Sequence, residues 1–258
     1  MLIDMHVHTD RYSACGRMTP DEMAEAAKAA GLAGVVITEH NVMWSEEEIA
    51  ELSARHPGLL ILRGLEVSAA NRHDILVYGV MDASLFHKDM PAREVVEIAH
   101  QHGGVAVWAH PMRYHRMMDE EVVNLPFDAI ETQSVNIDEL HYPALHELAV
   151  SRKLPEVYNS DGHDTISLGG YANYFHQAPQ NEADLVKIIK SRAYTPLVRP
   201  FWAEPAMAYR NKRVADRIEQ WVRAGQTDPE YLWKRIGGSI ERINSMVAAC
   251  LTKVEKAK

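Results

Sequence analysis

Several things are scarce in this chain of 258 residues, and each scarcity excludes a class of protein. Cysteine occurs twice, at Cys15 and Cys250, which rules out the multi-bridge framework of small secreted domains and predicts a reducing, cytoplasmic setting. Long apolar runs are missing: no stretch is long enough to cross a bilayer, and no basic leader with an apolar segment precedes the first strand. A soluble protein with no membrane partner is therefore expected. Positive charge is in deficit, with 27 Lys and Arg against 36 Asp and Glu for a net charge of −9. That balance disfavours a broad nucleic-acid footprint while leaving room for a local basic groove. Gly169-Gly170 has no GxxxxGK[ST] pattern around it, so it reads as turn punctuation and not as a phosphate loop.

What the chain does have is histidine at the ends of strand-like runs. Met1-Leu2-Ile3-Asp4-Met5-His6-Val7-His8-Thr9 is a short apolar run that stops on two histidines spaced i, i+2. Side chains alternate along a strand, so this spacing puts both imidazoles on one face. Three further runs end in comparable chemistry: Val35-Val36-Ile37-Thr38-Glu39-His40, Val105-Ala106-Val107-Trp108-Ala109-His110-Pro111 and Val157-Tyr158-Asn159-Ser160-Asp161-Gly162-His163. Core packing gives no reason for such repetition, whereas imidazole is the commonest metal ligand.

Length and an apolar content of 47% suit one large α/β domain. Thr19-Pro20-Asp21-Glu22 supplies an N-cap, a proline at the first helical position and the acid of a capping box; Met23, Ala26, Ala27 and Ala30 mark the buried stripe and Gly31 closes the helix. Residues 34–38 are apolar on both faces, as in a parallel strand covered by helices. Ser45 caps a helix to about residue 55. Strands are predicted over 59–62, 64–68, 75–80, 105–110, 129–132, 156–159 and 172–176, and helices over 92–101, 137–153 and, capped by Asn181, 182–192. This alternation predicts a parallel barrel of seven or eight strands, with its chemistry at the carboxyl ends of the strands. Pro196, Pro200 and Pro205 then predict an irregular connector, followed by helices over 206–221 and 229–252. Trp221, Tyr231, Trp233 and Ile236 are expected to cover the barrel or a second copy of the chain. The organisation expected is a domain over 1–195 and a helical extension over 196–258.

In order and spacing these residues resemble the polymerase and histidinol phosphatase (PHP) family. His6-Val7-His8 looks like its first motif, Thr38-Glu39-His40-Asn41 its second, His110-Pro111 its third and Ser160-Asp161-Gly162-His163 its fourth. Glu66, in Gly64-Leu65-Glu66-Val67-Ser68, looks like the family's bridging acid, and His73 like the histidine that follows it. The resemblance covers about residues 1–195 and leaves the C-terminal stretch outside. It implies a distorted (β/α)7 TIM-like barrel holding two or three divalent cations, zinc, manganese or iron. His6, His8 and Asp161 would hold the first, Glu66 would be shared with a second held also by His73 and His110, and His40 and His163 would hold a third. Mixed nitrogen and oxygen ligation of this kind leaves positions open for water and substrate. Two departures stand out. Ala14 occupies the place where many small members carry an acid or a histidine, so the third site is weak, absent, or completed by water or by Cys15, itself as readily a packed small residue. Glu39 stands where the second motif usually has Asp, and is expected to orient a ligand histidine.

The reaction implied is hydrolysis of a small phosphorylated metabolite or nucleotide by a metal-activated hydroxide, with Arg113, Glu66 and Asp161 as catalytic residues. Arg113 is expected to clamp phosphate oxygens with a bidentate pair. Arg11 and Arg72, near His8 and His73, are weaker candidates for binding substrate. His115 is read as a surface histidine in preference to a proton donor. Two other readings stand beside this one: an exonuclease on short nucleic-acid ends, and a non-catalytic metal-holding module that assembles through its C-terminal helices, where any homo-oligomer would also form.

Overall fold

The helix starts follow the capping chemistry of the sequence. In a computed structural model that describes residues 1–256, strand β1 (Leu2–Val7) leads to helix α1 (Pro20–Ala29). There Thr19 Oγ1 accepts from the Glu22 amide while Glu22 accepts from the Thr19 amide at 2.7 Å, the reciprocal box. After β2 (Gly34–Ile37), Ser45 and Glu48 form the same box on α2 (Glu46–Arg55). Next come β3 (Leu60–Arg63), β4 (Leu65–Ser68), β5 (Asp74–Tyr78), α3 (Ala92–Gln101), β6 (Val105–Ala109), the one-turn α4 (Glu120–Val123), β7 (Ala129–Gln133), α5 (Tyr142–Arg152), β8 (Glu156–Tyr158) and β9 (Tyr171–Phe175). Asn181 caps α6 (Glu182–Ser191), accepting from the Asp184 amide at 2.9 Å. The chain ends with β10 (Tyr194–Val198), α7 (Pro200–Arg223), α8 (Pro229–Ile236) and α9 (Ile240–Lys256).

The strands form two mixed five-stranded sheets, ordered β10-β9-β1-β2-β3 and β4-β5-β6-β7-β8. The α/β fold expected is present as two mixed sheets with helices, and no ladder joins the sheets into the expected distorted barrel among the described residues. Gly64 alone separates β3 from β4, so the chain runs from the edge of one sheet straight into the edge of the other. A Cβ on Gly64 would lie 2.8 Å from the Tyr78 ring, and only glycine permits that approach. The gap beside β4 is spanned by a single parallel bridge between His40 and Glu66, with the Asn41 amide donating to the Glu66 carbonyl at 2.8 Å. At the opposite seam, side chains replace the ladder. Asn173 of β9 accepts from the Tyr158 amide at 3.1 Å and donates to the Tyr158 carbonyl at 2.8 Å, while Asp4 accepts from the Ser160 amide at 3.1 Å.

Both sheets turn one face to a shared interior, where Ile3, Met5, Val36 and Leu62 meet Leu76, Tyr78, Val107 and Val157. On the outside, Met23, Ala27 and Leu52 cover the first sheet and Val95, Val96 and Ala99 cover the second. The prolines did not break the chain as expected. Pro196 pairs with Asn173 from an edge strand, where a missing amide is tolerated. Pro200 opens α7 at a position whose N–H has no intrahelical partner. Pro205 lies inside α7 and deprives only the carbonyl of Phe201, an exposed residue that water can serve. The single helix expected over 229–252 is split by Gly237 and Gly238, both at positive φ. Trp233 is buried with Ile218, Val222, Leu232, Ile243 and Val247 in a cluster of the last three helices, joined by Trp221 and Ile236, while Tyr231 is exposed. These helices therefore cover mainly one another. Among the described residues no helix is long and apolar enough to cross a membrane.

Two stability experiments follow from the seams. Asn173→Leu removes the group that satisfies both backbone atoms of Tyr158, and is expected to lower the unfolding free energy by about 2–3 kcal/mol in urea titrations. Burial raises the Asp4 carboxyl to about 7 despite the lowering pull of its bonds with Ser160 and His6. The folded chain then keeps a proton that the unfolded chain releases, so this group makes stability fall as pH rises from about 4 to about 7. Asp4→Asn is expected to flatten that slope, read from urea midpoints of chelator-treated protein at about pH 5 and pH 8.

Candidate metal centre

Strand ends bring the expected residues together. His6 and His8 come from β1, His40 from the turn after β2, Glu66 from β4, His110 from the end of β6, and Asp161 and His163 from the turn after β8. Glu66 lies in their midst: Oε1 is 3.3 Å from His6 Nε2 and 3.0 Å from His110 Nε2, and Oε2 is 3.2 Å from His8 Nε2 and 2.7 Å from His40 Nδ1. Asp161 Oδ1 is 3.4 Å from both His6 Nε2 and His8 Nε2. The His8 ring stacks between His163 and His40, with centroids at 4.3 and 4.5 Å. His110 and Asp161 hold positive φ angles of 25° and 49°, a strained backbone for residues with a side chain, concentrated where the side chains must converge.

Four triads in this cluster have ligand atoms close enough to share a cation: His6, His8 and Glu66; His6, His110 and Asp161; Glu66, Asp74 and His110; and His8, His40 and His163. His6 Nε2, His8 Nε2, His40 Nδ1, Glu66 Oε2 and Asp161 Oδ1 are all buried without a hydrogen-bond partner. Buried polar atoms are normally paired, so five orphaned nitrogen and oxygen atoms aimed at one another fit divalent cations in kind.

Charge in the cluster is divided unevenly. Burial opposes ionisation throughout, yet the His6 imidazole is held well above its ordinary value by Asp161, Glu131 and Glu66. His40, also resisting burial, is raised to about 11 by Glu66 and the Cys15 thiol. His8 goes the other way, pushed well down by burial and by its neighbour His163. Against burial, His40 and His6 hold Glu66 well below the usual carboxylate range, and His6 and His8 do the same for Asp161. The cluster thus holds ionised carboxylates and a neutral His8, the forms that bind metal, while His6 and His40 hold protons that a bound cation would displace.

Other residues stand differently from expectation. His73 is not in the cluster: its Nε2 lies 3.2 Å from Asp119 Oδ2 and its ring stacks on His115 at 4.2 Å. Alternation along the strand explains this. Asp74 shares the inward face with Leu76 and Tyr78, so the preceding His73 falls on the outer side beside Trp108. Asp74 therefore stands next to Glu66 and His110, where His73 was expected. Glu39 does not touch a ligand ring; it accepts from the Thr9 amide at 3.1 Å and from Trp44 Nε1 at 3.3 Å, fixing the turn after His8. The orienting acid is Glu131, a residue not singled out from the sequence. It faces His6 Nδ1 at 3.1 Å and accepts from the His110 amide at 3.0 Å and from Asn159 at 2.9 Å. Ser13 contacts His8 Nδ1 at 3.3 Å, and Asn136 donates to Asp161 at 2.8 Å. The one available signal for Glu131 was an acid in the middle of a predicted strand.

Arg113 lies on the rim with Nη1 3.3 Å from Asp161 Oδ2. Arg72 lines a neighbouring cavity of about 430 Å³, but its guanidinium donates to the Lys234 carbonyl at 2.8 Å and lies over the Tyr114 ring. Arg11 is paired with Glu48 and lies over Trp44, outside both cavities. Cys15 borders both cavities. Burial would raise its thiol, but His163 and His40 beside it lower it to about 6.

The sequence matches the PHP domain over residues 4–194. The chain belongs to the PHP domain family. No curated protein matches it. Its fold is similar to that of PsfC from Pseudomonas syringae, with 18% identity and a TM-score of 0.62 over 82% of this chain and 98% of that one. It is also similar to a two-domain protein from Bacteroides vulgatus containing a predicted PHP-like metal-dependent phosphoesterase, at 17% identity and a TM-score of 0.62 over 81% of this chain and 69% of that one. An amidohydrolase from Chromobacterium violaceum with bound sulfate and no metal follows at 19% identity and a TM-score of 0.50, covering 63% and 87%. At these identities the likeness is one of fold.

Glu131 supports the ring of His6 from behind, and such partners typically change metal affinity by about 10–100-fold. Glu131→Gln is expected to lose metal by about that factor in competition with a weak chelator, read by elemental analysis, with its circular dichroism unchanged.

Proposed function

We propose that this PHP protein is a metal-dependent phosphoesterase acting on a small phosphorylated metabolite or nucleotide. The observation that carries the reading is the convergence of five orphaned buried ligand atoms beneath a rim that presents a guanidinium. His6, His8, His40, Glu66, Asp74, His110, Asp161 and His163 would hold the two or three cations of this reading. Cations there supply polarisation of a phosphoryl oxygen and a more acidic water at neutral pH. Zinc, manganese and iron all suit this mixture of imidazole and carboxylate. Glu131, at His6 Nδ1, fixes the ring so that Nε2 faces Glu66 and Asp161. Asn136 and Arg113 both reach Asp161 Oδ2, which steadies that carboxylate while leaving guanidinium N–H groups for phosphate oxygens.

Small esters are favoured over polymers because the two cavities at the centre measure about 470 and 430 Å³, the size of a small-ligand site. The protein is read as working in the cytoplasm, where Cys15 stays a thiol. His8→Ala and Asp161→Ala are expected to lower kcat/KM on an aryl phosphate by at least about a thousandfold while the fold survives, a loss on the scale of removing a metal ligand. Chelation of the wild type is expected to abolish phosphate release, and manganese, iron or zinc to restore it. Wild-type protein loaded with each of these metals yet inactive on every ester tried overturns the proposal. Dominant cleavage of a short single strand over nucleoside monophosphates replaces it with the exonuclease reading.

A further inference from the structure

The C-terminal helices carry the charge that the rest of the chain lacks. Residues 196–258 hold twelve Lys and Arg against seven Asp and Glu, whereas residues 1–195 hold fifteen against twenty-nine. Part of that excess faces the metal centre. The cavity of about 470 Å³ lies between Asp161 and His163 on one side and α7 and α8 on the other. Its wall carries Arg17, Arg113, Arg210, Arg213, Arg217 and Arg235 against two acids, Asp161 and Asp164. Arg210, Arg213 and Arg217 follow one another at i, i+3 and i+7, a single stripe of α7. Such a stripe on a helix otherwise packed by Ala206, Ile218 and Val222 puts its guanidiniums on one side of the chamber.

Two of these six charges are spoken for: Arg113 has Asp161 at 3.3 Å and Arg213 has Asp164 at 3.2 Å. Arg17, Arg210, Arg217 and Arg235 have no carboxylate within salt-bridge distance among the described residues. Arg210 is the least expected of them, since burial lowers its pKa and the nearby Arg113 and Arg242 lower it further, while Asp138 compensates only from a distance. A guanidinium in that situation is normally paired. The second cavity offers a weaker field, with Arg72, Lys88 and Arg113 set against Asp74 and Asp89. The extension is fixed in place around the rim, with the Gly238 amide donating to the Arg113 carbonyl at 2.6 Å and Asp138 accepting from the Ser239 amide at 3.3 Å.

We propose that the substrate is a small molecule with two anionic groups: its scissile phosphate at the metal centre, and a second phosphoryl or carboxylate group held in the arginine chamber by Arg210, Arg213, Arg217 and Arg235. This rests on the phosphoesterase reading and names its substrate class. Binding is therefore measured with non-hydrolysable probes, so that it is read independently of turnover. In calorimetric titrations of the protein as purified with its metals, propane bisphosphonate is expected to bind at least about tenfold tighter than propylphosphonate, the scale of a charge-assisted bond to arginine. Arg217→Gln and Arg210→Gln are each expected to shrink that ratio about fivefold or more; Arg217 is exposed, so its variant keeps the test alive where Arg210→Gln fails to fold. Phosphonopropionate binding as tightly as the bisphosphonate supports a carboxylate as the second group, and weaker binding supports a phosphoryl. Equal binding of the bisphosphonate and propylphosphonate, or a ratio unchanged in both variants, overturns the chamber's role. A short oligothymidylate that binds tighter than the bisphosphonate through the same arginines overturns the small-molecule form. Failure of ester hydrolysis with the bisphosphonate ratio intact sinks the phosphoesterase reading and leaves the chamber standing.

Discussion

The buried carboxylate of Glu66 is the constraint from which most of the structure follows. A fully buried ionised acid is costly unless opposite charge or hydrogen-bond donors surround it, and here four imidazoles from β1, the turn after β2 and the end of β6 lie within 3.3 Å. Holding them there requires strands from both sheets to end at one place. It also requires the left-handed backbone at His110 and Asp161, which only a surrounding framework can maintain. Glu131 belongs to that framework: one carboxylate reaches the His6 ring, the His110 backbone and Asn159.

The same constraint bears on why the sheets stay separate. The bridge between His40 and Glu66 and that between Val7 and Gly162 are the isolated contacts at the seams, and both lie beside cluster residues. A continued ladder there would lock the backbone of residues 40 and 66 in flat register and leave no bend for the turn at Asn41, which is left-handed at φ 57°. Side-chain amides and carboxylates take over the backbone pairing instead, as Asn173 and Asp4 do. Backbone groups are thus satisfied at the seams without the geometry of a sheet.

What the sequence disclosed was chemistry that sits at strand ends and repeats. His6, His8, His40, His110, Asp161 and His163 were legible because each follows an apolar run, Glu66 only through the resemblance to the PHP family, and the helix starts because a cap is a local arrangement. His73 against Asp74 was not legible. Residues 75–78 are apolar on both faces, so alternation gives no sign of which neighbour points inward until the pairing with β4 is known. The orienting role of Glu131 depends on two strands remote in sequence, and no local pattern reports it. The prolines misled because their effect depends on position: harmless on an edge strand or at a helix start, damaging elsewhere. Closure of the sheets is likewise a property of the whole chain, decided at Gly64 and Asn173 by contacts that neighbouring residues do not foretell.

An acidic protein that takes an anionic substrate needs a local reversal of sign. In the form that binds metal the ligand cluster is itself negative, since Glu66, Asp74 and Asp161 then meet neutral imidazoles. Cations reverse that sign only over the reach of their own field, because charges separated by more than about 8 Å are largely screened in salt. The rest of an anionic molecule would still meet the excess of acids on residues 1–195. Arginines on the opposite wall of the chamber extend the positive region. They lie on helices outside the stretch matched by the PHP domain, so on the proposed reading the chemistry of the centre and the choice of molecule are carried by different parts of the chain. A change in α7 or α8 can then alter what is bound without disturbing the residues that gather around Glu66.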